Sequence, residues 1–89
     1  MPVISVFYGI KVMMFWFDTD YHHKPHIHIQ YGGDEASVDI KTGNLLAGTF
    51  PSKQLKLVQA WIEIHRNELI DNWRLALSGE PVQKIKPLK

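Results

Sequence analysis

Four of the five histidines in this 89-residue chain fall within one short segment, His22-His23-Lys24-Pro25-His26-Ile27-His28. Imidazole titrates near neutral pH and ligates transition metals, so such a segment is able to serve acid–base catalysis or metal binding. A third interpretation is that the histidines lie on the polar face of an ordinary β-hairpin. The secondary-structure elements that carry the histidines decide which side chains meet.

Residues 26–31 and 34–40 predict a β-hairpin, because apolar and polar residues alternate along both segments. Gly32-Gly33 lies between them, and a Gly-Gly pair is a favoured two-residue hairpin loop. Symmetric pairing around this loop places His26 opposite Asp39 and His28 opposite Ser37. The core face then carries Ile27, Ile29, Ala36, Val38 and Ile40. The opposite face carries His26, His28, Gln30, Glu35, Ser37 and Asp39.

The catalytic interpretation rests on this opposite face. Asp39 lies across from His26, where a carboxylate is able to orient an imidazole and raise its pKa. A metal-independent ribonuclease needs a base, an acid and a cation for the phosphate. His26, His28 and Lys24 supply these three groups, so the candidate catalytic residues are His26, His28, Asp39 and Lys24.

The metal interpretation rests on His26 and His28, whose Cα atoms are roughly 6.6 Å apart on one face of a strand. Zinc, nickel or iron accepts such nitrogen and oxygen ligands. The sequence does not fix the third ligand, for which there are four candidates: Asp20, His22, Asp39 and His65. The simplest interpretation of the same pattern is a solvated hairpin face or a surface that binds a protein partner, and we favour it over the other two.

The whole chain predicts one α+β domain over residues 1–89. Residues 10–49 predict an antiparallel meander of three or four strands. Residues 52–78 predict a long C-terminal helix, or one broken near Arg66-Asn67, that packs on one face of the sheet. Gly79 is a natural helix stop. Residues 80–89 form a Lys-rich tail whose Val82, Ile85 and Leu88 could dock on the apolar sheet face left open by the helix.

Composition excludes several classes of function. The chain has no cysteine, so disulfides and thiol chemistry are ruled out, and its net charge is only +1, which gives weak support for nucleic-acid binding. It lacks the apolar run of a membrane span and the pattern of a signal peptide, so we expect a cytoplasmic protein with no membrane partner. Its sequence contains no phosphate-binding loop, nucleophile elbow or zinc-finger pattern, and we predict no cofactor.

Several motifs, taken in order, resemble those of the bacterial domain-of-unknown-function family DUF4160. They are Phe7-Tyr8-Gly9-Ile10, Pro25-His26-Ile27-His28-Ile29, Val38-Asp39-Ile40-Lys41-Thr42-Gly43, and residues 61–69 together with Asn72-Trp73. Members usually have two or three prolines where this chain has His22-His23-Lys24. The resemblance covers essentially the whole chain, and it places weight on His26, His28, Asp39, Trp61, His65, Glu68 and Trp73.

What the resemblance implies is a cytoplasmic protein often encoded beside another short protein, an arrangement that looks like a two-gene toxin–antitoxin module. The leading hypothesis is therefore a component that binds a small protein encoded nearby. Within it, His65 and Glu68 are candidates for partner-binding or semi-buried polar residues. The alternatives are the ribonuclease and the His-liganded metal protein.

Overall fold

The computed structural model describes residues 3–15 and 24–88, and in them one antiparallel sheet is followed by one helix. The sheet has the order β1-β2-β3-β4-β5. The elements are β1 (Val3–Phe7), β2 (Ile10–Met13), β3 (His26–Tyr31), β4 (Asp34–Asp39), β5 (Leu45–Gly48) and α1 (Ser52–Leu77). The predicted α+β class is confirmed. The described part of the sheet has five strands, more than the three or four predicted.

The additional strand is β1, which precedes the predicted start of the sheet at residue 10. Its pairing with β2 shifts register between Val3 and Ser5, so the strand contains a bulge. Because a bulge inserts an extra residue, Ile4 and Ser5 are both buried and the alternation of apolar and polar residues is interrupted. The period-two pattern that predicts the other strands is therefore absent from β1.

The hydrophobic core lies between one face of the sheet and α1. Ile27, Ile29 and Val38 supply fully buried side chains from the predicted core face of the hairpin. From α1, Trp61 and Leu69 are fully buried against them, as the three- and four-residue spacing of apolar positions predicts. Apolar burial on this scale is the main favourable contribution to folding.

Helix α1 is kinked at His65, whose backbone angles of φ −113° and ψ 21° are not helical, so two helical segments join there. The predicted break thus lies one residue before Arg66-Asn67, and Asn67 is inside the helix rather than capping a second one. The helix ends at Gly79, which has a φ of 74°. The Gly79 N–H donates to the Ala76 carbonyl and the Glu80 N–H donates to the Leu75 carbonyl, the pairing of a Schellman motif.

Two side chains of α1 attach the helix to the turn between β4 and β5. Gln59 Nε2 donates to the Gly43 carbonyl at 2.8 Å, and Arg66 Nε donates to the Ile40 carbonyl at 3.1 Å. The guanidinium of Arg66 also donates to both carboxylate oxygens of Glu63. That hydrogen bonding and the charge of Arg66 lower the pKa of Glu63. The pair therefore stabilises the fold at pH values above the unfolded-state pKa of Glu63. This contribution is lost as the pH falls through the lower pKa that Glu63 has in the folded protein.

The C-terminal strap, residues 80–88, runs between α1 and the outer edge of β1. The Ile85 N–H donates to the Ile4 carbonyl at 2.8 Å, and Trp61 Nε1 donates to the Lys86 carbonyl at 2.9 Å. Ile85 is buried in the same core as Trp61. Val82 and Leu88 also pack against this core, so the strap covers apolar surface of the sheet that α1 leaves open, as predicted.

Asn72 holds the strap through both ends of its amide, and its replacement by alanine tests this attachment. Asn72 Nδ2 donates to the Gln83 carbonyl at 2.7 Å, and the Gln83 N–H donates to Asn72 Oδ1 at 3.0 Å. We expect Asn72→Ala to lower the free energy of unfolding by about 1–3 kcal/mol, because two part-buried hydrogen bonds to the Gln83 main chain are lost. Urea denaturation measures this loss, and faster hydrogen exchange at the Ile85 amide locates it.

The matched control is Asp71→Ala, one position away on the exposed side of α1. Asp71 makes only a long, solvent-exposed ion pair with Arg74 at 3.5 Å. Such pairs contribute little to stability, so this variant should unfold as the wild type does. Equal stability of both variants and the wild type would show that Asn72 does not hold the strap.

Candidate functional site

The candidate residues of the hairpin lie on the open face, which we define as the sheet face opposite α1, whereas His65 and Glu68 lie on α1. The pairing of strands arranges this face in rows, because directly paired residues point to the same side. Lys11 pairs with Gln30 and Gln30 with Glu35, giving one polar row. The next row consists of Met13, His28, Ser37 and Ala47. Trp73 of α1 reaches one end of this face, where its ring packs against His26.

The predicted hairpin register is confirmed pair by pair. His26 is the partner of Asp39 and His28 is the partner of Ser37, around the Gly32-Gly33 turn. The expected solvation of the face holds for Glu35 but not for its other end. There His26 is 0% exposed and Asp39 is 9% exposed. The polar face of the hairpin thus passes from solvent into the protein interior along its length.

His26 is a buried imidazole with a defined tautomer. Its Nδ1–H donates to the main-chain carbonyl of Lys24 at 2.7 Å, and that bond places a proton on Nδ1. The ring packs against Trp73 and His28 with centroid distances of 4.9 and 5.2 Å. The Lys24 residue meets His26 through its main chain, whereas the catalytic interpretation requires its ammonium group. Any substrate that uses His26 must first reach a side chain without solvent exposure.

The carboxylate of Asp39 stabilises a turn. Its Oδ1 accepts hydrogen bonds from the Lys41 N–H at 2.7 Å and from the Thr42 N–H at 3.4 Å. This pattern is typical of aspartate at the start of a turn. These two hydrogen bonds hold the carboxylate against the turn that follows β4. The position of Asp39 across from His26 was predicted, but its hydrogen bonds to the turn were not.

His28 is half-buried and faces a pocket of about 330 Å³ on the open face. Its Nδ1 and the Ser37 hydroxyl form a hydrogen bond at 3.3 Å, and Phe15 contacts the ring edge-on at a centroid distance of 4.3 Å. Met13 and Ala47 also line the pocket. Sequence reasoning missed Met13 and Phe15, because β2 reads as apolar on both faces and the alternation does not show which residues face outward.

The metal interpretation finds no complete ligand set in the described part of the chain. Residues 3–15 and 24–88 contain no group of three or more His, Asp or Glu side chains placed to hold one ion. Two of the proposed third ligands, Asp20 and His22, lie outside the described residues. A third, His65, is paired within α1. His26 and His28 therefore stay a candidate pair of ligands and not a defined metal centre.

His65 and Glu68 form a pair at the kink of α1. His65 Nδ1 donates to Glu68 Oε1 at 2.6 Å, and the imidazole lies 5.6 Å from the Trp61 ring. The His65 side chain is largely covered, whereas Glu68 is exposed. This geometry matches a semi-buried imidazole satisfied by a hydrogen bond, which is one of the two interpretations given to these residues.

The fold and the site define a two-layer α+β protein in which a helix covers one face of a five-stranded sheet and a histidine-lined pocket opens on the other. The domain of unknown function DUF4160 matches residues 9–74, more than half of the chain. The chain belongs to this family, as the motif resemblance predicts. The match spans β2 to β5 and most of α1.

Comparison with curated proteins and with solved structures gives no match. In the described residues, no helix is both long enough and apolar enough to cross a membrane. The family match carries no known activity, so the function of the chain is inferred from the geometry of the site.

Proposed function

We propose that this protein is the partner-binding component of a toxin–antitoxin-like two-gene module in the bacterial cytoplasm, and that its partner is a small protein encoded nearby. The observation that supports the proposal is the open face with its pocket of about 330 Å³. A sheet that is covered on one side and carries apolar groups on the other has a surface suited to a second protein.

The composition of the open face supports a protein partner. Met13 and Phe15 supply apolar surface at the pocket, while Gln30 and Glu35 form a hydrogen-bonded polar pair at its edge. An apolar centre with a polar rim is the usual anatomy of a protein–protein interface. Val6 extends the apolar surface, since it pairs with Lys11 and is 53% exposed.

Binding to the neighbouring gene product tests the proposal. Co-expression should yield a stable complex, and isothermal titration should give its dissociation constant. We expect His28→Ala and Val6→Glu each to raise this constant tenfold or more, because one removes a pocket wall and the other places a charge on the apolar surface. The control is Ile64→Glu, which changes an equally apolar and 65% exposed side chain on α1 and should bind as the wild type does.

Two results would contradict this proposal. The first is that the wild-type chain does not bind the neighbouring gene product and does not change that product's toxicity on co-expression. This result would exclude a function in a two-gene module. Binding that is weakened by Ile64→Glu and not by either open-face variant would place the interface on the helix layer instead.

A second candidate is a metal-independent ribonuclease, and the observation in its favour is that His28 lines a pocket beside a hydroxyl group. In this candidate one of His26 and His28 removes the proton from the 2′-hydroxyl, the other donates a proton to the leaving 5′-oxygen, and Lys24 attracts the phosphate. Incubation of labelled RNA with the wild type in the presence of a chelator measures the activity. Cleavage should disappear in His26→Ala and His28→Ala, and cleavage that persists in the double variant would exclude these residues.

A further inference from the structure

A groove of about 440 Å³ lies between β1 and the C-terminal strap. Its walls are largely apolar, with Ile4 and Val6 on the strand side and Ile85 on the strap side. The groove falls outside residues 9–74, over which the family match extends. Val6 is shared with the proposed partner-binding surface, whereas Ile4, Ser5 and Ile85 belong to the groove and not to the pocket at His28.

Ser5 supplies the first observation that points to a ligand. Ser5 is one of the residues that line the groove, and the residue is 7% exposed. Within the described residues, Ser5 Oγ is the buried side-chain nitrogen or oxygen atom that has no hydrogen-bond partner. A buried hydroxyl without a partner is destabilising, and a group that binds in the groove would satisfy it.

The charges around the groove give the sign of that group. Lys84 and Lys86 line it, and they are its charged residues among those described. Lys84 also borders a smaller cavity with Glu68 and Asp71, so Lys86 is the cation that belongs to the groove alone. Neither lysine forms an ion pair within the described part of the chain. An anion in the groove would meet two ammonium groups and a hydroxyl donor.

We propose that this groove binds a monocarboxylate with an apolar body, such as a medium-chain fatty acid. The aliphatic part would pack on Ile4, Val6 and Ile85, and the carboxylate would accept hydrogen bonds from Ser5 and from the lysines. A singly charged head suits these surroundings better than phosphate, because an apolar wall increases the desolvation cost of each added charge. The volume of about 440 Å³ lies in the range of small-molecule sites.

Titration of the full chain with octanoate, followed by calorimetry and by the amide NMR signals of Ser5 and Ile85, tests the proposal. Octanoate should bind saturably, and octanol and inorganic phosphate should each bind at least tenfold more weakly. Ser5→Ala should weaken octanoate binding several-fold, and the Lys84→Gln, Lys86→Gln double variant should weaken it tenfold or more. The control is Lys53→Gln, Lys56→Gln on α1, which removes the same charge elsewhere.

Each outcome of these titrations either supports or overturns the proposed carboxylate site. Ser5→Ala removes one oxygen and leaves the packing in place, so a loss of binding in this variant reports the hydroxyl and not misfolding. Equal binding of octanoate and octanol, or of octanoate to the wild type and Ser5→Ala, would overturn the proposal. So would weakening by the control pair as large as that by the strap lysines, or the absence of saturable octanoate binding.

Discussion

Trp61→Ala should lower the free energy of unfolding by about 3–5 kcal/mol, the usual range for removing a buried aromatic side chain. Trp61 is fully buried, contacts Phe7 at a ring-centroid distance of 5.3 Å and donates Nε1–H to the Lys86 carbonyl. It joins the helix, the sheet and the strap at one point. Domains of this size have a total stability of roughly 5–10 kcal/mol, so the variant would lose a third of it or more. Urea denaturation followed by circular dichroism measures the effect.

Trp61→Phe separates the two roles of this side chain. The smaller ring keeps the contact with Phe7 but has no N–H, so the Lys86 carbonyl loses its donor. We expect a loss of about 1–3 kcal/mol, clearly less than for alanine. A loss below about 1 kcal/mol for Trp61→Ala would mean that the core does not depend on this residue, contrary to its burial.

Gly48→Ala is the second substitution with a large expected effect. Gly48 has a φ of 82°, and a Cβ added there would lie 2.3 Å from the Glu35 carbonyl oxygen and 2.9 Å from the Ala36 Cα. Both neighbours are backbone atoms of β4, so relief of the clash requires the β5 strand to move. Strain of this kind costs about 1–3 kcal/mol for the backbone conformation alone. We expect a loss of about 3 kcal/mol, measured by thermal unfolding.

Gly33→Ala is the matched control, because an added Cβ at Gly33 has nothing within 4 Å. The same substitution should change stability there by less than about 1 kcal/mol. Hydrogen exchange of the β5 amides should rise in Gly48→Ala and stay unchanged in Gly33→Ala. Similar behaviour of the two variants would show that the close approach of β5 to β4 does not require glycine.

The hairpin is the part of the site that the sequence predicted in detail. Its alternation of apolar and polar residues allows one register only, since a slip of one residue would place His26 and His28 in the core and Ile27 and Ile29 on the other face. The structure has that register. The helix end at Gly79 was predicted equally well, because it depends on local backbone chemistry.

The surroundings of the histidines could not be predicted in the same way. The burial of His26 depends on Trp73, a residue far along the chain that the tertiary fold brings within 4.9 Å. Asp39 Oδ1 accepts hydrogen bonds from the N–H groups that follow it in the chain, and the alternation of the strand does not predict these bonds. The bulge in β1 removed the alternation by which that strand would have been found.

The sequence by itself determined the α+β class, the hairpin register, the helix and the family, because each depends on periodicity, turn residues or motifs local in the chain. Tertiary structure alone decided which polar residues are buried, that Met13 and Phe15 join His28 at a pocket, and that the strap closes against β1 beside Ser5. These features arise from contacts between residues distant in sequence, whose energies depend on packing and solvent exclusion and leave no pattern in the order of the amino acids.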